Sequence, residues 1–143
     1  MATIEHSVEI ARPPADVFAV LTDPARLREW QGTVLEARPE DEGPLRAGSR
    51  VHEVRSFLGR RIASTVEIVE VEAPSKFVLR SSAGPVTFHI QQTVAPTAAG
   101  SLVRIVMEGE ARGMLGMAAR VAVKAADKQL RTDLKSLKAL LEH

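Results

Sequence analysis

The chain has 143 residues, of which 45% are hydrophobic and 26% charged, with a formal net charge of +1. That balance fits a single globular domain over residues 1–143 with a real core, and it excludes a strongly basic nucleic-acid binder. With neither cysteine nor tyrosine present, disulfides, thiolate metal sites, cysteine nucleophiles and phenol acid–base chemistry are excluded, and a reducing, cytoplasmic setting is expected.

The chain opens with a strand. Over residues 4–10, Ile4, Val8 and Ile10 share one face and Glu5, Ser7 and Glu9 the other, the alternation of a half-buried strand. Pro13-Pro14 ends it and suits a helix start, because proline in a first helical turn loses no needed N–H. Val17, Phe18, Val20 and Leu21 then form a short amphipathic helix. Thr22-Asp23-Pro24 is a second start signal, and Leu27 and Trp30 share a face of the short helix that follows.

From Thr33 the period switches to two. Strands are predicted over 33–38, 50–58, 61–71, 76–82, 86–95 and 101–110, separated by turns at Pro44/Gly48, Gly59, Pro74, Gly84-Pro85 and Pro96–Gly100. Short spacers between consecutive strands imply an antiparallel meander. Alternation points Val86, Phe88, Ile90, Gln92 and Val94 inward, with Val103, Ile105 and Met107, with Ile62, Ser64, Val66 and Ile68, and with Phe77 and Leu79. The strand over 50–58 is equally mixed on its two faces, so alternation leaves its orientation open. No stretch reaches the ~20 apolar residues of a membrane span, and the first residues lack the apolar run of a secretion signal.

Residues 113–143 read as one long helix with two differently built halves. Leu130, Leu134, Leu137 and Leu141 fall on one narrow stripe, as a helix seated on a sheet requires. The first half spreads Met114, Leu115, Ala118, Ala119, Val121, Ala122, Val123, Ala125 and Ala126 over more than half of the wheel, and it is mostly alanine. Small residues on a covered face mean either close backbone approach or unfilled space. The closing Leu141-Glu142-His143 resembles the start of an expression tag, so His143 is given no functional role.

The run from Ile4 to Phe18, Leu21-Thr22-Asp23-Pro24, Trp30, the hairpin Phe57-Leu58-Gly59-Arg60-Arg61 and the closing amphipathic helix together resemble the START-like, or SRPBCC, helix-grip superfamily, in particular its polyketide cyclase/dehydrase-type branch. The resemblance covers nearly the whole chain. It implies an α+β fold, in which an antiparallel curved sheet of about seven strands wraps a long C-terminal helix, with two short helices after the first strand. It also implies a cavity between sheet and helix. It does not imply one activity, because the superfamily includes lipid and sterol carriers, cyclases and ubiquinone-binding proteins, and no catalytic set from it maps onto these residues.

The cavity is expected to draw its lining from Trp30, Ile68, Leu79, Phe88, Ile90, Met107, Leu115, Ala118, Ala119 and Ala122, with Gln92 and Arg55 as polar members. Trp30 is either a lid or, more simply, a staple between short helix and sheet. Gln92, alone among apolar neighbours, needs a ligand, a water or a residue such as Ser64 as partner. Glu53 and Arg55 either place a carboxylate and a guanidinium in the cavity or pair on the outer face. His6 shares the inward parity of Ile4 and Val8, His89 lies on the outward parity, and His52 depends on the unassigned strand. No spacing of His, Asp or Glu argues for a metal, no glycine loop argues for a phosphate, and no cofactor is expected. Arg120, Lys124, Lys128, Arg131, Lys135 and Lys138 lie within roughly 80° of one another on the long helix. That stripe is either a solvated back face or a surface for an acidic partner or anionic lipid. The expected partner is thus a small hydrophobic molecule; a cyclase/dehydrase-type enzyme and an interaction module are the alternatives.

Overall fold

Alternating β-branched residues build seven strands, and the leucine stripe builds the helix that closes them. The computed structural model describes residues 2–111 and 116–143. In chain order the elements are β1 (Ala2–Ile10), α1 (Pro14–Leu21), a single 3₁₀ turn at Pro24–Arg26, α2 (Leu27–Trp30), β2 (Val34–Pro39), β3 (Arg50–Phe57), β4 (Arg60–Glu72), β5 (Lys76–Ala83), β6 (Val86–Pro96), β7 (Ser101–Ala111) and α3 (Gly116–Glu142). The Asp23 carboxylate accepts from the Ala25 amide at 3.0 Å and so starts the second helical segment, as its sequence indicates. Of the long helix expected from residue 113, the part before Gly116, with Met114 and Leu115, lies outside the described residues.

The strands form one sheet in the order β1-β7-β6-β5-β4-β3-β2. All neighbours are antiparallel, so β2 to β7 run as a meander and β1 returns to close the β7 side. β2 is an edge strand, which is why it can end on Pro39, a residue with no N–H for a further ladder bond. Register shifts at Val34/Glu36, Thr65/Val66 and Ile68/Glu70 mark bulges, and bulges bend a sheet. The sheet thereby acquires a concave face, and α3 lies along it.

The core lies under the second half of α3. Leu130, Leu134, Leu137 and Leu141 are buried against Ile10, Val17, Leu21, Val103 and Ile105. Phe18 of α1 meets Phe77 of β5 edge to face, with ring centroids 6.4 Å apart and planes at 84°, which seats the short helix on the sheet. Polar ties fix the same end. Arg12 donates to the Leu141 carbonyl at 2.9 Å, Lys138 to the Glu9 carbonyl at 2.8 Å, and the Ala11 amide to Glu142 at 2.8 Å. Residues 141 and 142 therefore belong to the packed fold. Gly100 adopts φ +153°, and a Cβ there would sit 2.5 Å from the Ile10 carbonyl oxygen, so only glycine lets this turn lie against the end of β1. This is the helix-grip arrangement that the sequence resemblance implies.

Leu137 is wholly enclosed, whereas Ala118 is exposed. Leu137→Ala is expected to lower the unfolding free energy by about 2–5 kcal/mol, and Ala118→Ser by less than about 0.5 kcal/mol. Urea denaturation followed by circular dichroism reads both, and equal losses would contradict the placement of the core.

Candidate functional site

Where α3 changes from leucine to alanine, the helix no longer fills the concavity beneath it. A cavity of about 1340 Å³ lies there, bounded by the sheet, α2 and the first half of α3. Its floor is built from the inward faces of the central strands. Ile68, Leu79, Phe88, Ile90 and Met107 all line it, joined by Ile4, Val66, Phe77 and Ile105. Its roof includes Ala119, Ala122, Val123 and Ala126. Alanine reaches too short a distance to meet the strands, and the bent sheet cannot rise to meet alanine, so the volume stays open.

Ten of the twelve residues expected at the site come together on this surface: Trp30, Arg55, Ile68, Leu79, Phe88, Ile90, Gln92, Met107, Ala119 and Ala122. Ala118 is exposed and does not line the cavity, because one helical residue turns it about 100° from Ala119. Leu115 lies outside the described residues. Trp30 is 2% exposed and forms part of the core cluster, so it is a wall of the cavity rather than a lid.

β3 resolves the orientation that alternation leaves open. Val51, Glu53, Arg55 and Phe57 line the cavity, while His52 bonds to Glu40 and Thr65. Glu53, only 7% exposed, is therefore an interior carboxylate. Arg55 reaches it from two residues along, with Nε 2.9 Å from Oε1. The guanidinium also donates to Thr33 Oγ1 at 3.1 Å and to Gln31 Oε1 at 2.8 Å. The loop from α2 to β2 supplies both acceptors and so fixes the plane of the fork.

A second interior carboxylate faces this pair from α3. Asp133 is 7% exposed and its Oδ1 accepts from the Gly32 amide at 3.0 Å and from Gln129 Nε2 at 2.8 Å. Burial pushes its carboxyl above the ordinary value of 3.8, against the opposing pull of the Gly32 amide, the Gln129 amide and the Arg55 charge. Asp133, Gln129, Gln31 and Thr33 are members of the site that the sequence reading passes over. Asp133 did leave a signal: it stands three residues after Leu130 and four before Leu137, a carboxylate inside the buried stripe.

The remaining candidates fall elsewhere. Gln92 lies in register with Phe77 and Ile105, whereas Ser64 pairs with Glu53, so Ser64 is not its partner. The Gln92 Oε1 and Trp30 Nε1 atoms are buried with no hydrogen-bond partner among the described residues. His6 faces inward as its parity predicts and meets Asp127 of α3 at 2.8 Å, while His89 is exposed. Of the basic stripe, Arg120 and Lys124 border the cavity, Arg131 lies 3.7 Å from Asp127, and Lys138 bonds to Glu142. Among the described residues, no three His, Asp or Glu side chains converge as a metal site would require, and no helix is long and apolar enough to cross a membrane.

Comparison with known proteins follows the same outline. Residues 1–142 match the model of a family described as polyketide cyclase/dehydrase and lipid transport. An uncharacterised protein of Mycobacterium tuberculosis is 24% identical over 141 residues, which is 98% of this chain and 99% of that protein. A protein of Thermus thermophilus superposes with a TM-score of 0.83 at 17% identity, over 98% of this chain and 97% of that one. The di-domain ARO/CYC protein BexL, from the BE-7585A biosynthetic pathway, superposes with a TM-score of 0.75 at 19% identity, over 97% of this chain and 46% of BexL. At such identities the structural likenesses establish the fold alone.

The raised carboxyl of Asp133 gives a signed prediction. Its ionisation is disfavoured in the folded state, so stability falls as pH rises from about 3.8 through the higher folded value. Asp133→Asn keeps an oxygen for Gly32 and Gln129 and removes that penalty. It should raise the thermal midpoint at about pH 7 and leave it unchanged at about pH 3, where the carboxyl is protonated in both states. A lower midpoint at neutral pH would show that the charge is stabilising.

Proposed function

The chain belongs to the polyketide cyclase/dehydrase and lipid-transport family, and from that premise we propose that it binds a small hydrophobic ligand, a lipid, polyketide or isoprenoid-like molecule, in the cavity between the sheet and α3. The observation that carries this reading is the cavity of about 1340 Å³ with a mainly apolar lining and alanines for a roof. Small-molecule sites commonly occupy about 300–1,000 Å³, so the space accommodates a ligand of drug size or larger. Every Å² of apolar ligand surface removed from water there contributes about 25 cal/mol, less the cost of immobilising the guest. Leaving such a cavity open without a guest has no structural benefit, since a leucine at position 119 or 122 would fill part of it.

One observation favours a second reading, a cyclase/dehydrase-type enzyme. Two buried carboxylates and a guanidinium meet at one wall of the cavity, and proton transfer needs such groups held away from water. The same groups serve equally to orient a bound molecule, so binding is the broader statement and turnover a further step.

Filling the roof tests the binding reading. Ala119→Trp and Ala122→Trp should each weaken binding of Nile red, a neutral fluorescent apolar dye, by at least about tenfold, roughly 1.4 kcal/mol, without lowering the thermal midpoint. Lipid-extract components retained by the wild type in native mass spectrometry should be absent from both variants. Dye affinity that is undiminished when the roof is filled would refute the cavity as the binding site.

A further inference from the structure

We propose that the ligand presents an uncharged oxygen function, a hydroxyl or ketone, to Glu53, Arg55 and Asp133, and that this cluster excludes molecules bearing a carboxylate or another anionic head. The inference rests on the ligand-binding reading above and adds to it the chemistry of the guest's polar end.

Charge sets the first constraint. Among the described residues eight charged side chains border the cavity, of which only Glu53 and Asp133 are buried and only Arg55 lies partly enclosed beside them. One guanidinium therefore faces two carboxylates. With Asp133 ionised the cluster is net negative, and with Asp133 protonated it is neutral. In neither state does it carry the surplus positive charge that would repay an anion for losing its water. Burial pushes the Asp133 carboxyl above its ordinary value, which can weaken its negative charge but adds no positive one.

Geometry excludes the remaining route, recruitment of Arg55 itself. Its guanidinium is held by Glu53, Thr33 and Gln31, and an anion could take it only by displacing the Glu53 carboxylate from its ion pair. A hydroxyl or ketone makes no such demand. It accepts from a spare guanidinium N–H, and a hydroxyl also donates to a carboxylate oxygen. Trp30 Nε1 and Gln92 Oε1, one donor and one acceptor without a partner among the described residues, are likewise matched in kind by uncharged groups.

Arg60, Arg61, Arg120 and Lys124 also border the cavity, but they are exposed. Their attraction for an anion at the mouth is screened by salt, with a Debye length of about 4 Å at 0.5 M. The test is therefore run in 0.5 M KCl at pH 8, where a fatty carboxyl is ionised. Displacement of Nile red by 1-decanol is compared with displacement by decanoate, two probes with the same chain length.

Wild-type protein should bind decanol at least tenfold more tightly than decanoate. In Glu53→Gln, which takes one negative charge from beside Arg55, the preference should shift toward decanoate by at least threefold, a gain that impaired folding cannot imitate. If that variant does not fold by circular dichroism, Glu53→Met, which fills similar space without charge, carries the same test because it removes the same negative charge from beside Arg55. A wild-type ratio below tenfold, or a ratio unmoved by the substitution, overturns the proposal while leaving the cavity a binding site. Failure of both probes to displace the dye, with dye binding itself insensitive to filling the roof, overturns the ligand-binding reading and this inference with it.

Discussion

A bent sheet offers more apolar concave surface than one helix can cover. The second half of α3 meets the requirement with Leu130, Leu134, Leu137 and Leu141, and there the interior closes. The first half turns Ala119, Ala122 and Ala126 toward the same concavity, and there it does not. The difference is one of side-chain reach, since both halves belong to the same helix resting on the same sheet. Everything functional follows from that mismatch between the curvature of the strands and the length of the side chains above them.

Such an opening has to be held apart, because an unsupported helix would collapse onto apolar strands. Two sets of polar contacts supply the support. On one flank, His6 of β1 meets Asp127 of α3, at the transition between the two halves of the helix. On the other, Asp133 is tied to the Gly32 amide beyond α2. These contacts fix the helix axis relative to the sheet while occupying little of the interior. The leucine end then supplies most of the burial free energy, and the alanine end is positioned as a consequence of it.

Placing two carboxylates and a guanidinium on a wall of an apolar space carries a desolvation penalty, which makes such a group weak evidence for stability. The arrangement is instead well suited to orientation. Arg55 is fixed by three acceptors from two segments, and Asp133 by two donors, so their remaining polar atoms present a defined pattern to whatever enters. An apolar surface gives affinity without direction, and this small polar cluster gives direction. The lining as a whole thus matches the general form of sites that bind a mostly hydrophobic guest with one polar end.

Much of this was legible in the order of residues alone. Alternation assigned the inward faces of β4 to β7, punctuation by glycine and proline separated the strands, and helical spacing divided α3 into a leucine half and an alanine half. These are local properties, set by side-chain direction along a single element. The orientation of β3 was not legible, because Val51, Glu53, Arg55 and Phe57 are no more apolar than the residues between them, and only its pairing with β2 and β4 turned them inward. Asp133 stood as a lone carboxylate among leucines, Gln31 read as loop, and Thr33 read as the start of a strand. Their convergence on Arg55 depends on segments far apart in the chain, which no local periodicity records. The sequence by itself determined the strands and a helix with one leucine half and one alanine half, and the tertiary structure decided that the alanines border open space rather than a close backbone. Which charged groups would face that room was decided by tertiary structure, because burial of a charge is a property of the assembled surroundings and not of the segment that carries it.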